Sequence, residues 1–299
     1  VADSNMLRGA MTALVTPFGD DGKPDLASYA DLCRWQVEEG IHGLVPCGTT
    51  GEGATLDDDE HRAVVEAMVQ AVEGRVPVVA GCGSNDTRRT VEAAKRCEQV
   101  GATALLVVSP YYNKPNRSGM IAHYKAVAEA TPLPVVVYNV PGRTGQNLSA
   151  ELTLELAEID GITAVKEASA DLDQIATIIA GRPEGFSVLS GDDPLGLPTV
   201  SLGADGIISV VSNEAPGEMA ALIQAALEGN YTRAQELHYR LLPLMRANFV
   251  ESNPVPVKTA MGLLNRCSDR LRPPLGPATG HTREVLSTAL AAAGLEARR

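Results

Sequence analysis

The sequence predicts an α/β fold, a (β/α)8 (TIM) barrel with a C-terminal helical extension. Three observations carry this. Eight short, β-branched, nearly continuous apolar runs recur roughly every 20–35 residues, the pattern of strands covered on both faces. Amphipathic stretches of helix-forming composition lie between them. The first run continues into Thr16-Pro17-Phe18, without the Gly-rich phosphate loop that usually follows the first strand of a doubly wound sheet. Aromatic residues are 4% of the chain and hydrophobic residues 44%, so aliphatic side chains must pack the core.

In chain order, the first run is 9–17 (GAMTALVTP) and the second 43–48 (GLVPCG). A helix is predicted over 56–72, where Val64, Val65, Met68, Val69 and Val72 share a face. The third run, 76–83, precedes a helix over 86–100 that opens on Asn85-Asp86-Thr87 and stops before Gly101. Run 104–110 leads to a helix over 118–130, and run 134–141 to a helix over 149–159. Runs 162–168, 186–193 and 205–212 complete the eight, and a helix over 215–228 follows the last. Residues 231–249, 256–265 and 282–293 read as three more helices. The chain therefore divides into a barrel, 1–228, and a helical region, 229–299, with no linker or low-complexity tract between them.

Charge and cysteine content narrow the function. The net charge of −12 disfavours nucleic acid or an anionic membrane as partner. It leaves room for small anionic substrates in a local cationic pocket. No apolar run reaches the ~18–20 residues of a spanning helix, and the N-terminal residues show no leader pattern. Five cysteines (33, 47, 82, 97, 267) form no C-x-x-C pair. A reduced, cytoplasmic protein without disulfides or a zinc ribbon is expected.

In such a barrel the active site lies at the C-terminal ends of the strands. Six of the 25 basic residues are lysines, and of these Lys166 alone ends an apolar strand, after Ile162-Thr163-Ala164-Val165. An amine partly stripped of water there can attack a carbonyl. On position alone it reads equally as a charge snorkelling to the rim. Its neighbours shift the balance. Tyr138 ends the preceding strand, where a phenol can relay protons. Arg143 can hold a carboxylate through two hydrogen bonds. Thr49 and Thr50 offer hydroxyls and backbone donors on a glycine-flanked turn. Metal chemistry is the rival. The five histidines (42, 61, 123, 238, 281) form no His-x-His or His-x-x-x-His pair, and Asp192-Asp193 lacks a nearby third ligand. The metal-free reading is preferred.

Gly48-Thr49-Thr50-Gly51-Glu52, Tyr111-Tyr112-Asn113-Lys114-Pro115, Tyr138-Asn139-Val140-Pro141-Gly142-Arg143-Thr144-Gly145 and Lys166-Glu167-Ala168 resemble the dihydrodipicolinate synthase family. This is a branch of the pyruvate-dependent class I aldolases, which also hold N-acetylneuraminate lyase. The likeness spans essentially the whole chain, down to Asn253-Pro254-Val255-Pro256-Val257-Lys258. The segment around Arg143 is the most specific part.

The resemblance implies condensation of pyruvate with L-aspartate 4-semialdehyde to 4-hydroxy-tetrahydrodipicolinate, on the diaminopimelate route to lysine. It implies that Lys166 forms a Schiff base with pyruvate, with no other cofactor. Tyr138, Thr49 and Tyr112 would form the proton relay, Tyr112 reaching in from a neighbouring subunit of a homotetramer built as a dimer of dimers. Thr50 would hold the pyruvate carboxylate and Arg143 the second substrate. Gly191 and Ile208 would line the pocket through backbone groups. Many members are inhibited by lysine at the dimer interface. Ala54, His61, Asn85 and Tyr111 match that site, but Arg89 stands where a glutamate is usual, Asp58 replaces a histidine and Gly53 a serine. An arginine repels an incoming lysine, so weak or absent inhibition is expected. Two other functions stay open: an aldolase or lyase acting on a 2-keto sugar acid, and a silent barrel used for binding.

Overall fold

Eight parallel strands form the sheet: β1 (Gly9–Ala13), β2 (Gly43–Val45), β3 (Val79–Gly81), β4 (Ala104–Val108), β5 (Val135–Asn139), β6 (Ile162–Glu167), β7 (Ser187–Ser190) and β8 (Gly206–Ser209). They pair in the order β2-β1-β8-β7-β6-β5-β4-β3. A parallel bridge between Leu44 and Val78 joins the two ends and makes the sheet a barrel. The computed structural model describes residues 7–296. Residues 1–6, on which the leader expectation rests, and 297–299 lie outside the described residues.

The helices between strands are α1 (Leu26–Glu38), α2 (Asp58–Val72), α3 (Thr87–Gln99), α4 (Arg117–Glu129), α5 (Pro141–Thr144), α6 (Ala150–Ala157), α7 (Leu172–Gly181), α8 (Gly196–Ser201) and α9 (Pro216–Leu227). The extension adds α10 (Tyr231–Ala247), α11 (Val255–Leu263) and α12 (Gly280–Ala293). No described helix is long and apolar enough to cross a membrane.

Several boundaries differ from the sequence reading for identifiable reasons. Run 43–48 yields only three strand residues, since Pro46 has no N–H to give the ladder. Pro77 delays β3 in the same way, so run 76–83 also shortens to three. The Asp86 side chain caps α3 by accepting from the Arg88 and Arg89 amides, as its motif predicts. At α2 the start moves to Asp58, because Asp57 and Glu60 form a reciprocal capping box there. Helices α1, α7 and α8, which no motif singled out, fill the remaining gaps between strands.

Alternation along the strands builds two cores. Ala10, Leu44, Leu105, Val107, Val135, Val137 and Val165 pack outward under the helices. Met11, Ala13, Val45, Leu106, Val136, Tyr138, Ala164, Leu189 and Ile208 point into the barrel and fill it. Period two then decides where the polar strand ends go. Lys166 shares the inward parity of Ala164, while Asn139 and Glu167 share the outward parity of Val137 and Val165.

Candidate active site

Tyr138 and Lys166 are lateral partners in the β5–β6 register. Both point into the barrel mouth, and Lys166 Nζ lies 4.3 Å from the Tyr138 ring centroid. That distance allows the ring face to stabilise an ammonium. Lys166 is 5% exposed and Tyr138 7%. Asp192 faces the same space; burial pushes its carboxyl above the usual range, and the Lys166 charge draws it back.

A buried polar layer behind the strand ends holds this pair. Glu167 accepts from Asn139 Nδ2 (2.9 and 3.0 Å), the Ser169 amide (2.8 Å) and Gln174 Nε2 (3.1 Å). Burial nevertheless raises its pKa, with the hydrogen bonds acting against it. Gly191 donates its N–H to Glu167 O at 2.7 Å. A Cβ at Gly191 would lie 2.7 Å from Ala168 Cβ and 3.1 Å from Lys166 Cε, so only glycine lets the lysine lie there.

The turn after β2 carries Thr49 and Thr50. Cys47 and Glu52 take left-handed φ angles of 56° and 52° to make it. At Gly53 a Cβ would meet Cys47 O at 2.1 Å, which fixes glycine at the close of the loop. Thr16 Oγ1 donates to Gly51 O at 2.7 Å. From the C-terminal extension, Asn253 Nδ2 donates to Thr50 Oγ1 at 3.0 Å. Lys258 Nζ pairs with Glu52 Oε1, and the Arg272 amide donates to Glu52 Oε2 at 3.0 Å. Arg143, in the single turn of α5, donates through Nη2 to Asn253 O at 3.1 Å.

These elements enclose a cavity of about 100 Å³, whose walls include Thr49, Thr50, Tyr138, Arg143, Lys166, Gly191, Asp192, Phe249 and Asn253. Thr49, Tyr138, Val140, Arg143 and Asn253 also border a larger cavity of about 550 Å³. It extends over Gly53, Ala54, Asp58, His61, Arg89, Arg96 and Tyr111, and both Cys47 and Cys82 reach it.

Most residues singled out in the sequence thus converge, with three exceptions. Ile208 is fully buried in the barrel interior and is not part of either wall. Asn85 lies off the larger cavity, and its main-chain oxygen accepts from Asn113 Nδ2 at 2.8 Å. Tyr112 is 88% exposed, with φ of 71°, and lines neither cavity within its own chain. Sequence reasoning missed Asn253, Phe249 and the Glu52–Lys258 pair. Proximity of the Asn253-to-Lys258 motif to the Thr50 turn, 203 residues away, has no local signal.

Chemically, the small cavity sets an amine beside a phenol and hydroxyls, with a guanidinium at its edge. That set suits addition to the ketone of a small anion. Among the described residues, no three His, Cys, Asp or Glu side chains gather as a metal-holding group.

Comparison with known proteins adds a family. The model of the dihydrodipicolinate synthetase family matches residues 6–293. A 4-hydroxy-tetrahydrodipicolinate synthase of Maridesulfovibrio salexigens is 48% identical over 289 residues, 96% of this chain and 99% of that protein. The solved chloride-inhibited dihydrodipicolinate synthase of Acinetobacter baumannii, complexed with pyruvate, superposes with a TM-score of 0.94 at 40% identity, covering 96% of this chain and 99% of the other. The enzyme of Cyanidioschyzon merolae with lysine bound gives 0.94 at 40% identity, covering 97% and 99%.

Proposed function

This chain belongs to the dihydrodipicolinate synthetase family, and from that premise we propose that it is a lyase condensing pyruvate with L-aspartate 4-semialdehyde. The product is 4-hydroxy-tetrahydrodipicolinate, and the reaction proceeds through a Schiff base on Lys166. The observation that carries the reading is Lys166 buried at the barrel mouth with Nζ 4.3 Å from the Tyr138 ring. The Acinetobacter baumannii relative, solved with pyruvate, supports the substrate.

Neutral Lys166 Nζ attacks the ketone carbon of pyruvate, and loss of water leaves the imine. Protonated, the imine is an electron sink that acidifies the pyruvate methyl group. Tyr138, with Thr49 and Tyr112 of a neighbouring subunit, carries protons to and from the reacting atoms. Removal of one methyl proton gives the enamine, whose carbon attacks the aldehyde. The adduct's own amino group then attacks the imine carbon, closing the ring and releasing Lys166. No metal or organic cofactor enters these steps. Thr50 holds the pyruvate carboxylate, Arg143 binds the carboxylate of the second substrate, and Gly191 lines the pocket.

The exposure and left-handed backbone of Tyr112 fit a side chain that completes a neighbour's site. A homotetramer built as a dimer of dimers is the assembly proposed. Arg89 on the larger cavity gives weak or absent inhibition by lysine, unlike a site with an acidic residue there. The five free cysteines fit a reducing, cytoplasmic setting.

Borohydride reduction in the presence of pyruvate tests the assignment. A mass gain on the peptide containing Lys166 is expected. No adduct, or one on Lys258, overturns it. Turnover of aspartate semialdehyde against 2-keto sugar acids then separates the synthase from a sugar-acid aldolase.

A further inference from the structure

Asn253 belongs to the C-terminal extension, yet it touches both residues assigned above to substrate carboxylates. Its Nδ2 donates to Thr50 Oγ1 at 3.0 Å, and its main-chain oxygen accepts from Arg143 Nη2 at 3.1 Å. Asn253 is 6% exposed and Thr50 2%, and Asn253 borders both cavities.

The direction of the first bond decides what Thr50 can do. A hydroxyl has one proton and two lone pairs. The Asn253 amide donor occupies a lone pair, so the Thr50 proton is left for another acceptor. A carboxylate offers acceptors only. We propose that Asn253 is a positioning residue: its side chain makes Thr50 a donor toward the pyruvate carboxylate, and its main-chain oxygen aims Arg143 at the second substrate. This rests on the Schiff-base reading above and extends it to a residue outside the barrel strands.

The surroundings hold both partners still. Glu52, two residues after Thr50, pairs with Lys258, five residues after Asn253. The catalytic turn and the start of α11 are therefore joined at two points, and small relative motions of barrel and extension are resisted.

The test uses the pyruvate concentration that gives half-maximal borohydride trapping, together with steady-state kinetics. N253D keeps the shape but replaces the donor by an acceptor. Thr50 must then donate to Asp and turn a lone pair on the substrate. Half-trapping is expected to rise on the order of 100-fold in N253D and about tenfold in N253A. The kcat at saturating pyruvate should stay within about threefold in N253A, the mark of lost binding rather than lost chemistry. In a T50V background N253A should add nothing further, because the coupling runs through the hydroxyl. Wild-type affinity in N253D would mean that Oδ1 faces Thr50, and it overturns the proposal. An equal loss from N253A with and without Thr50 also overturns it. Circular dichroism checks folding, and the isosteric N253D decides the matter if N253A does not fold. Absence of a Lys166 adduct in the wild type would strike the Schiff-base reading itself, a result distinct from any variant outcome.

Discussion

Lys258 Nζ lies 2.5 Å from Glu52 Oε1, and neither side chain has meaningful contact with solvent. The Phe18 ring covers the ammonium at 4.0 Å. Burial pushes the Lys258 pKa down, and the Glu52 charge draws it up. Breaking such a pair on one side leaves a buried charge without its partner. K258M or E52L is therefore expected to cost about 3–5 kcal/mol, and the double variant E52L/K258M clearly less than the sum. Urea unfolding of the four proteins measures this.

The phenol of Tyr138 can be removed without removing the ring that faces Lys166. Y138F is expected to lower kcat by about 100-fold or more, the scale of a lost proton-transfer group. Thermal stability should hardly move. A kcat within a few-fold of wild type would put the relay elsewhere.

Arg143 is expected to act on the second substrate rather than on pyruvate. R143K keeps the charge but loses the two-pronged geometry. The KM for aspartate semialdehyde should rise about tenfold or more, while pyruvate still labels Lys166 on borohydride reduction. Loss of labelling in R143K would place Arg143 in imine formation.

Arg89 carries a prediction about regulation. Its side chain is 77% exposed, borders the larger cavity, and meets Asp86 only at 3.9 Å. Lysine should fail to reach half-inhibition below about 1 mM in the wild type. R89E, which reverses the charge on that wall, should become more sensitive. Activity titrations with lysine read both, and strong inhibition of the wild type contradicts the proposal.

His123 predicts an acid limb in stability. Its Nδ1 meets Thr87 Oγ1 at 2.9 Å, its Nε2 is buried without a hydrogen-bond partner, and burial lowers its pKa to about 4. The unfolded chain takes up the proton near 6.5, the folded chain only near 4. The contribution is thus fully present above pH 6.5, is lost as pH falls toward 4, and amounts to about 3 kcal/mol. H123Q should flatten this part of the stability curve. Unfolding free energies between pH 7 and 4 measure the slope for both proteins.

The barrel was legible because its strands are short, continuous and aliphatic; which parity of each strand faces the barrel interior was not, because both faces are apolar. Residues close in sequence, such as Tyr138 and Arg143 or Thr49 and Thr50, were legible as groups. Lys258 was not, since the sequence places it merely after two prolines in the extension. Its burial depends on Glu52, 206 residues away, and on the Phe18 ring. Asn253 was hidden for the same reason. Ile208 shows a different limit: a residue can occupy the right strand and still end one layer below the cavity. Short strands misled the boundaries at Pro46 and Pro77, where a missing N–H outweighs apolar character.

The seam between β2 and β3 is the barrel's thinnest, a bridge at Leu44 and Val78 with the Leu44 amide donating to Pro77 O and the Gly81 amide to Pro46 O. The β5–β6 seam, which carries Lys166, aligns five residue pairs. The chain therefore places Lys166 on the seam with the most paired residues and its threonine turn beside the seam with the fewest. The Glu52–Lys258 clasp fastens the turn beside that joint to the outer tail.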